Sequence, residues 1–117
     1  MIDERRIREI LAQYEKHGWN LRRVLLSAPT KENLPAPLFG ETEIISSETD
    51  AAWFSRPSTE GRETWELRCL SDAPFALIEV FDEDEEEVVR EETRREMETR
   101  LAEQASKAGS KKLRNES

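Results

Sequence analysis

The sequence predicts an α+β fold in the order α-β-β-β-β-α. An antiparallel meander of three or four strands lies between an amphipathic N-terminal helix and a long charged C-terminal helix. Three observations carry this prediction. Ile7, Ile10, Leu11 and Tyr14 recur at the spacing of one helical face. Glu63 to Leu70 alternates, with Trp65, Leu67 and Cys69 on one side and Thr64, Glu66 and Arg68 on the other. An acidic run from Asp82 to Glu87 opens a stretch in which Glu precedes Arg or Lys by four residues.

The first helix is expected from Asp3 to His17. Asp3 is placed to cap its start and Gly18 to end it in a left-handed conformation. Trp19 to Leu26 reads as a strand, although Arg22-Arg23 interrupts the alternation; a short helix capped by Asn20 is the alternative. Ala28 to Gly40 contains Pro29, Pro35 and Pro37, which argues against any regular element there. Leu34, Leu38 and Phe39 are expected to pin this connector to the core. Glu43 to Ser46 is a short extended piece. Asp50 to Arg56 reads as a strand ended by Pro57.

After a turn at Ser58–Gly61 comes the alternating strand, then a turn at Ser71–Pro74, then Phe75 to Phe81. This last strand is apolar on both faces except at Glu79, which predicts a central, doubly covered position. Short connections favour antiparallel pairing, because a parallel crossover needs a dozen residues or more. The C-terminal helix is expected from about 83 to 105. Asp82 and Glu85 form a cap-like pair at its start. Val89, Met97 and Leu101 form a narrow apolar stripe that anchors its first half. Residues 1–105 then make one domain, and 106–117 a disordered polar tail.

Composition excludes several function classes. Charged residues make up 38% of the chain and the formal net charge is -8. Residues 1–81 hold 14 Asp+Glu against 10 Lys+Arg, and residues 82–117 hold 12 against 8, so neither part carries a net positive charge. Binding to nucleic acid or to an anionic membrane surface is therefore disfavoured. The start has no apolar signal-like segment, and no run approaches the length of a membrane span. The one cysteine, Cys69, has no intrachain disulfide partner and reads as a buried thiol. A cytoplasmic location is the expectation.

No motif in the sequence carries recognisable chemistry. The four glycines are isolated, and the lone His17 and Cys69 give no metal-ligand spacing. Asp82–Glu85 lacks the pattern of a calcium loop. No cofactor, metal or catalytic constellation is expected, and His17 with Cys69 would form a nucleophilic pair only if the fold joined them. The candidate contact residues are few. Trp53, Phe54, Arg56 and Trp65 form an aromatic cluster with arginine, the residue types enriched at interaction hot spots, although such residues also pack cores. Glu79 is a carboxylate on an apolar strand, which needs a partner, an exposed edge or a role in a cleft. Met97 and Leu101 lie on the C-terminal helix stripe. The expected function is a non-enzymatic protein-interaction module (adaptor, chaperone-like or regulatory), with a protein partner or self-association, including a homodimer. The alternative is a small-ligand-binding or enzymatic domain with a cleft near Glu79.

Overall fold

The computed structural model describes residues 3–70 and 75–116, without the side chains of Ala36 and of 106–116. The turn expected at Ser71–Pro74 lies outside the described residues. Helix α1 spans Glu4–Lys16. The Asp3 carboxylate accepts from the Arg6 amide at 2.8 Å, satisfying a donor that the first helical turn leaves free. At the other end the His17, Gly18 and Trp19 amides fold back onto the Tyr14 and Glu15 carbonyls, with Gly18 at φ 84. A side chain at that φ would be strained, so glycine ends the helix here.

The strands are β1 (Asn20–Leu26), β2 (Glu43–Ser46), β3 (Ala51–Pro57), β4 (Glu63–Cys69) and β5 (Ala76–Phe81). They form one mixed sheet in the order β2-β1-β3-β4-β5. The β1–β3, β3–β4 and β4–β5 pairs are antiparallel, as expected for a meander. The β1–β2 pair is parallel and adds a fifth strand to the expected set. Its crossover is the proline-rich connector, which does contain regular structure: helix α2 (Ala28–Asn33) and a 3-10 turn at Ala36–Phe39. Pro35 stops α2 at the extended Leu34, but neither segment is broken inside, because Pro29 and Pro37 fall within their first two positions. That is where the missing N–H is not needed. Leu38 and Phe39 are buried, and Leu34 packs beside them, so the connector is pinned as expected.

The two faces of the sheet build separate cores. On one, α1 sends Ile7 and Ile10 against Val24, Leu26, Ala52, Phe54 and Leu70. On the other, α3 (Glu87–Glu116) sends Met97 and Leu101 against Leu25, Trp53, Trp65, Leu67 and Phe81. The helices therefore lie on opposite faces. The central strand is β3, whose Ala51 to Ser55 are all buried, and not β5. Strand β5 is an edge: it comes last in the meander, and a hairpin adds each new strand to the outside. α3 begins at Glu87, beyond a turn in which the Asp82 amide donates to Glu85. Its backbone is helical to Glu116, past the end expected at about 105 and through most of the stretch expected as a disordered tail; the side chains after Ala105 and residue 117 fall outside the described residues.

One polar cluster fastens β1, α2 and β3 together. The Asp50 carboxylate accepts from the Ser27 amide at 2.7 Å, the Ser27 hydroxyl at 3.0 Å and the buried Thr30 hydroxyl at 2.7 Å. Its backbone carbonyl accepts from Leu70 at 2.8 Å. Removing the carboxylate strands these donors inside the protein, at about 1–3 kcal/mol. Asp50→Ala is expected to lower the unfolding free energy by about that amount in urea titration. Unchanged stability would contradict the assignment.

Candidate interaction surface

Most of the residues that the sequence marked for contact are interior. Trp53, Phe54, Trp65, Met97 and Leu101 are all buried, so they pack the two cores and present no surface. Trp53 and Trp65 meet edge to face at 5.9 Å between ring centroids on the α3 face, and Phe54 stacks against Tyr14 on the α1 face. Successive side chains of a strand point to opposite faces, which separates Trp53 from Phe54. Arg56 is exposed; it lies 4.5 Å over the Trp19 ring and donates to the His17 carbonyl at 3.1 Å. Glu79 is exposed on β5 opposite Trp65 in register, and none of the four principal grooves is lined by it. An edge position explains how a carboxylate is accommodated on this strand without burial.

The α3 face is closed by a charged cluster that the apolar stripe did not foretell. Arg94 is 3% exposed and donates to Glu87 at 2.7 Å and Glu91 at 2.9 Å. Its guanidinium lies 4.0 Å over the Trp65 ring and 5.5 Å from the Phe81 centroid. A planar, weakly hydrated cation suits such a seat, whereas lysine would lose the stack over the rings. Glu91 also accepts from Arg23 on β1 at 3.0 and 3.2 Å. A register shift between Leu21 and Arg23 makes this possible. The bulge turns Arg22 and Arg23 toward the same face, where Arg22 also sits 5.1 Å over Trp65. Of the basic doublet, Arg23 therefore meets an internal carboxylate and Arg22 an aromatic ring. Val89, expected to anchor the helix, is 45% exposed, and Arg94 takes the place assigned to it.

The α1 face is covered over only part of its width. α1 sits above β1 and β3, and its flank ends at Tyr14, whose hydroxyl donates to Glu66 on β4. Beyond that flank the described residues of β4 and β5 carry no second layer on this face. Ile78 is 59% exposed and Val80 46%, beside Glu66 and Thr64 in register. An open groove of about 620 Å³ follows the helix flank, lined by Arg6, Glu9, Gln13, Tyr14, Lys16 and Arg68. Alternation places Ala76, Ile78 and Val80 on this face and Phe75, Leu77 and Phe81 on the α3 face, where they join the core. The sequence signal for this surface was present in the double-sided apolar run, but it reads equally well as burial.

Other chemistry is not assembled. His17 is exposed at the end of α1, while Cys69 is buried in the core of the α3 face, so the two are not brought together. Among the described residues no group of three or more His, Cys, Asp or Glu is placed to hold a metal ion. No described helix is long and apolar enough to cross a membrane. The chain matches no family model, no curated protein and no solved structure.

Two titrations test this geometry. Burial pushes the Glu91 carboxyl up, but the hydrogen bonds from Arg94 and Arg23 outweigh it and hold the group below its ordinary value of 4.5. A carboxyl depressed on folding adds stability above its unfolded pKa, and that stability is lost as the pH falls through the folded value. Glu91→Gln is expected to cost about 1–3 kcal/mol at neutral pH, with the deficit shrinking as the pH drops below 4.5. A pH-independent deficit would contradict the pairing. Tyr14 is the one tyrosine in the chain, so phenolate absorbance reports it alone. Burial, then the hydrogen bond to Glu66, holds its hydroxyl well above the ordinary 10.0. A phenol raised in this way contributes stability that is full below its unfolded pKa and is lost as the pH rises. The phenolate signal is expected to appear only with alkaline unfolding; a midpoint near 10.0 in folded protein would contradict the contact.

Proposed function

We propose that this chain is a non-enzymatic protein-interaction module that works in the cytoplasm and uses the uncovered β4–β5 face with its open edge. The observation that carries this reading is the exposure of Ile78 and Val80 side by side on an edge strand. Single exposed apolar residues are ordinary on protein surfaces; apolar residues grouped on an unpaired strand edge are not, because that edge invites pairing with another chain. Proteins that avoid such pairing blunt the edge with lysine, proline or a bulge. Strand β5 has none of these within Ala76–Phe81, and its one charge, Glu79, belongs to the other face. The groove along the flank of α1, lined by Arg6, Gln13 and Lys16, reaches Arg68 on β4, which pairs in register with Ala76 on β5. The interior placement of the aromatic residues moves the contact surface away from Trp53 and Trp65 and onto β5.

The test compares partners captured by the wild-type chain with those captured by Ile78→Lys, then measures binding of each purified partner directly. Ile78 is exposed, so the lysine is expected to leave the fold intact. The expected result is a partner whose affinity falls at least tenfold in Ile78→Lys and is unchanged in Lys31→Ala, which lies in the connector away from β5. Equal binding to the wild type and to Ile78→Lys would overturn the reading.

A further inference from the structure

The backbone of β5 names its own complement. The Cys69 amide donates to the Phe75 carbonyl at 2.9 Å, which fixes the pairing phase of the β4–β5 ladder. In an antiparallel ladder, residues alternate between bonding one neighbour and the other. Leu77, Glu79 and Phe81 therefore turn their backbone groups toward β4. Ala76, Ile78 and Val80 turn theirs outward, where no strand of the described residues meets them.

We propose that the occupant of this edge is a second copy of the chain, with the two β5 strands paired antiparallel about a two-fold axis at Ile78. This rests on the reading of β5 as an interaction surface. Three registers centre on the middle of the strand, at Leu77, Ile78 and Glu79, and the sequence separates them. Centred on Ile78, the edges match as Ala76 with Val80, Ile78 with itself, and Val80 with Ala76; all three pairs use outward-facing backbone groups. Glu79 then lies opposite Leu77 and only diagonal to its counterpart, so no like charges are directly opposed. Centred on Glu79, the two carboxylates would face each other, which is destabilising. Centred on Leu77, Val80 would pair with Pro74, which has no N–H to give.

Charge outside the strand is also compatible. Each copy carries a net -8, with the acidic run starting at Asp82, four residues from the axis. In the Ile78 register the two runs leave in opposite directions, with their starts about 26 Å apart at 3.3 Å per residue. That separation is well beyond the Debye length of about 8 Å at physiological salt. The axis stands perpendicular to the sheet, so both uncovered faces lie on the same side. Ala76, Ile78 and Val80 of the two copies merge there into one apolar stripe. A ladder of three residues from each copy is small beside the roughly 1,200 Å² of a stable interface, so the association is weak and depends on concentration.

Two measurements on the full chain test the pairing. In sedimentation equilibrium the mass is expected to rise from 13.6 kDa toward twice that across the micromolar range. It should stay at the lower value in Ile78→Lys, which sets two ammonium groups against each other on the axis. Glu79→Gln should leave the association constant within about threefold, because Glu79 meets Leu77. Residue-resolved hydrogen exchange keeps the test independent of the variants. The Ala76, Ile78 and Val80 amides should gain protection as concentration rises, while Leu77, Glu79 and Phe81 are protected throughout. A mass fixed at 13.6 kDa with Ile78 and Val80 amides unprotected at every concentration overturns the second copy as occupant. If β5 then still binds a different protein through Ile78, the broader interaction reading stands; if it binds nothing, both fall. Association that survives Ile78→Lys, or that strengthens tenfold in Glu79→Gln, overturns the register.

Discussion

The arrangement of this protein depends on one buried cation. Arg94 lies on the Trp65 ring and holds Glu87 and Glu91, while Glu91 reaches across to Arg23 on β1. A lone buried guanidinium would be strongly destabilising, but two carboxylates and two aromatic rings meet this one. The consequence is positional. α3 is fastened over β4 and β5 by a polar cluster near its start, which reaches β1 through Arg23, and by Met97 and Leu101 further along. It covers one face of the sheet, and α1 covers part of the other. With both helices committed, no described element covers the α1 face of β5.

That asymmetry accounts for the surface. In a three-layer α/β arrangement, a fully covered sheet needs enough helix on each face to span its width. α1 has 13 residues and lies over the β1–β3 side, with Tyr14 marking its flank through the bond to Glu66. The chain then leaves the sheet through β5 to the opposite face, and no later described element returns to cover Ile78 and Val80. The exposed pair follows from topology as much as from composition.

Some of this was legible in the sequence and some was not, for physical reasons that differ by element. α1 was readable because Ile7, Ile10, Leu11 and Tyr14 mark one face, and Asp3 and Gly18 mark its ends; local chemistry alone decides both. β4 was readable because its two faces differ in polarity. The position of β5 was not, since an apolar run reports the character of its side chains and not whether a neighbour covers them. The parallel β1–β2 pair was hidden because four residues carry too little pattern, and because the prolines of the connector suit a helix start as well as a loop. Arg94 was hidden among several similar arginines. Only the fold picks out the one beneath which Trp65 lies. The aromatic candidates failed as surface residues through that same neighbourhood: Trp65 is the seat of the arginine, and Trp53 donates to Glu98 beside it.

The decisive feature is a sheet covered by α3 on one face, except at Glu79, and partly open on the other, with an apolar opening at β5. Methyl NMR with a soluble paramagnetic probe examines it most directly. The account predicts strong broadening of the Ile78 and Val80 methyls, with Leu67 and Leu101 on the α3 face and Val24 beneath α1 left sharp. Ile78 and Val80 methyls as sharp as those of Leu67 would contradict it, because some layer would then cover the face on which the interaction reading stands.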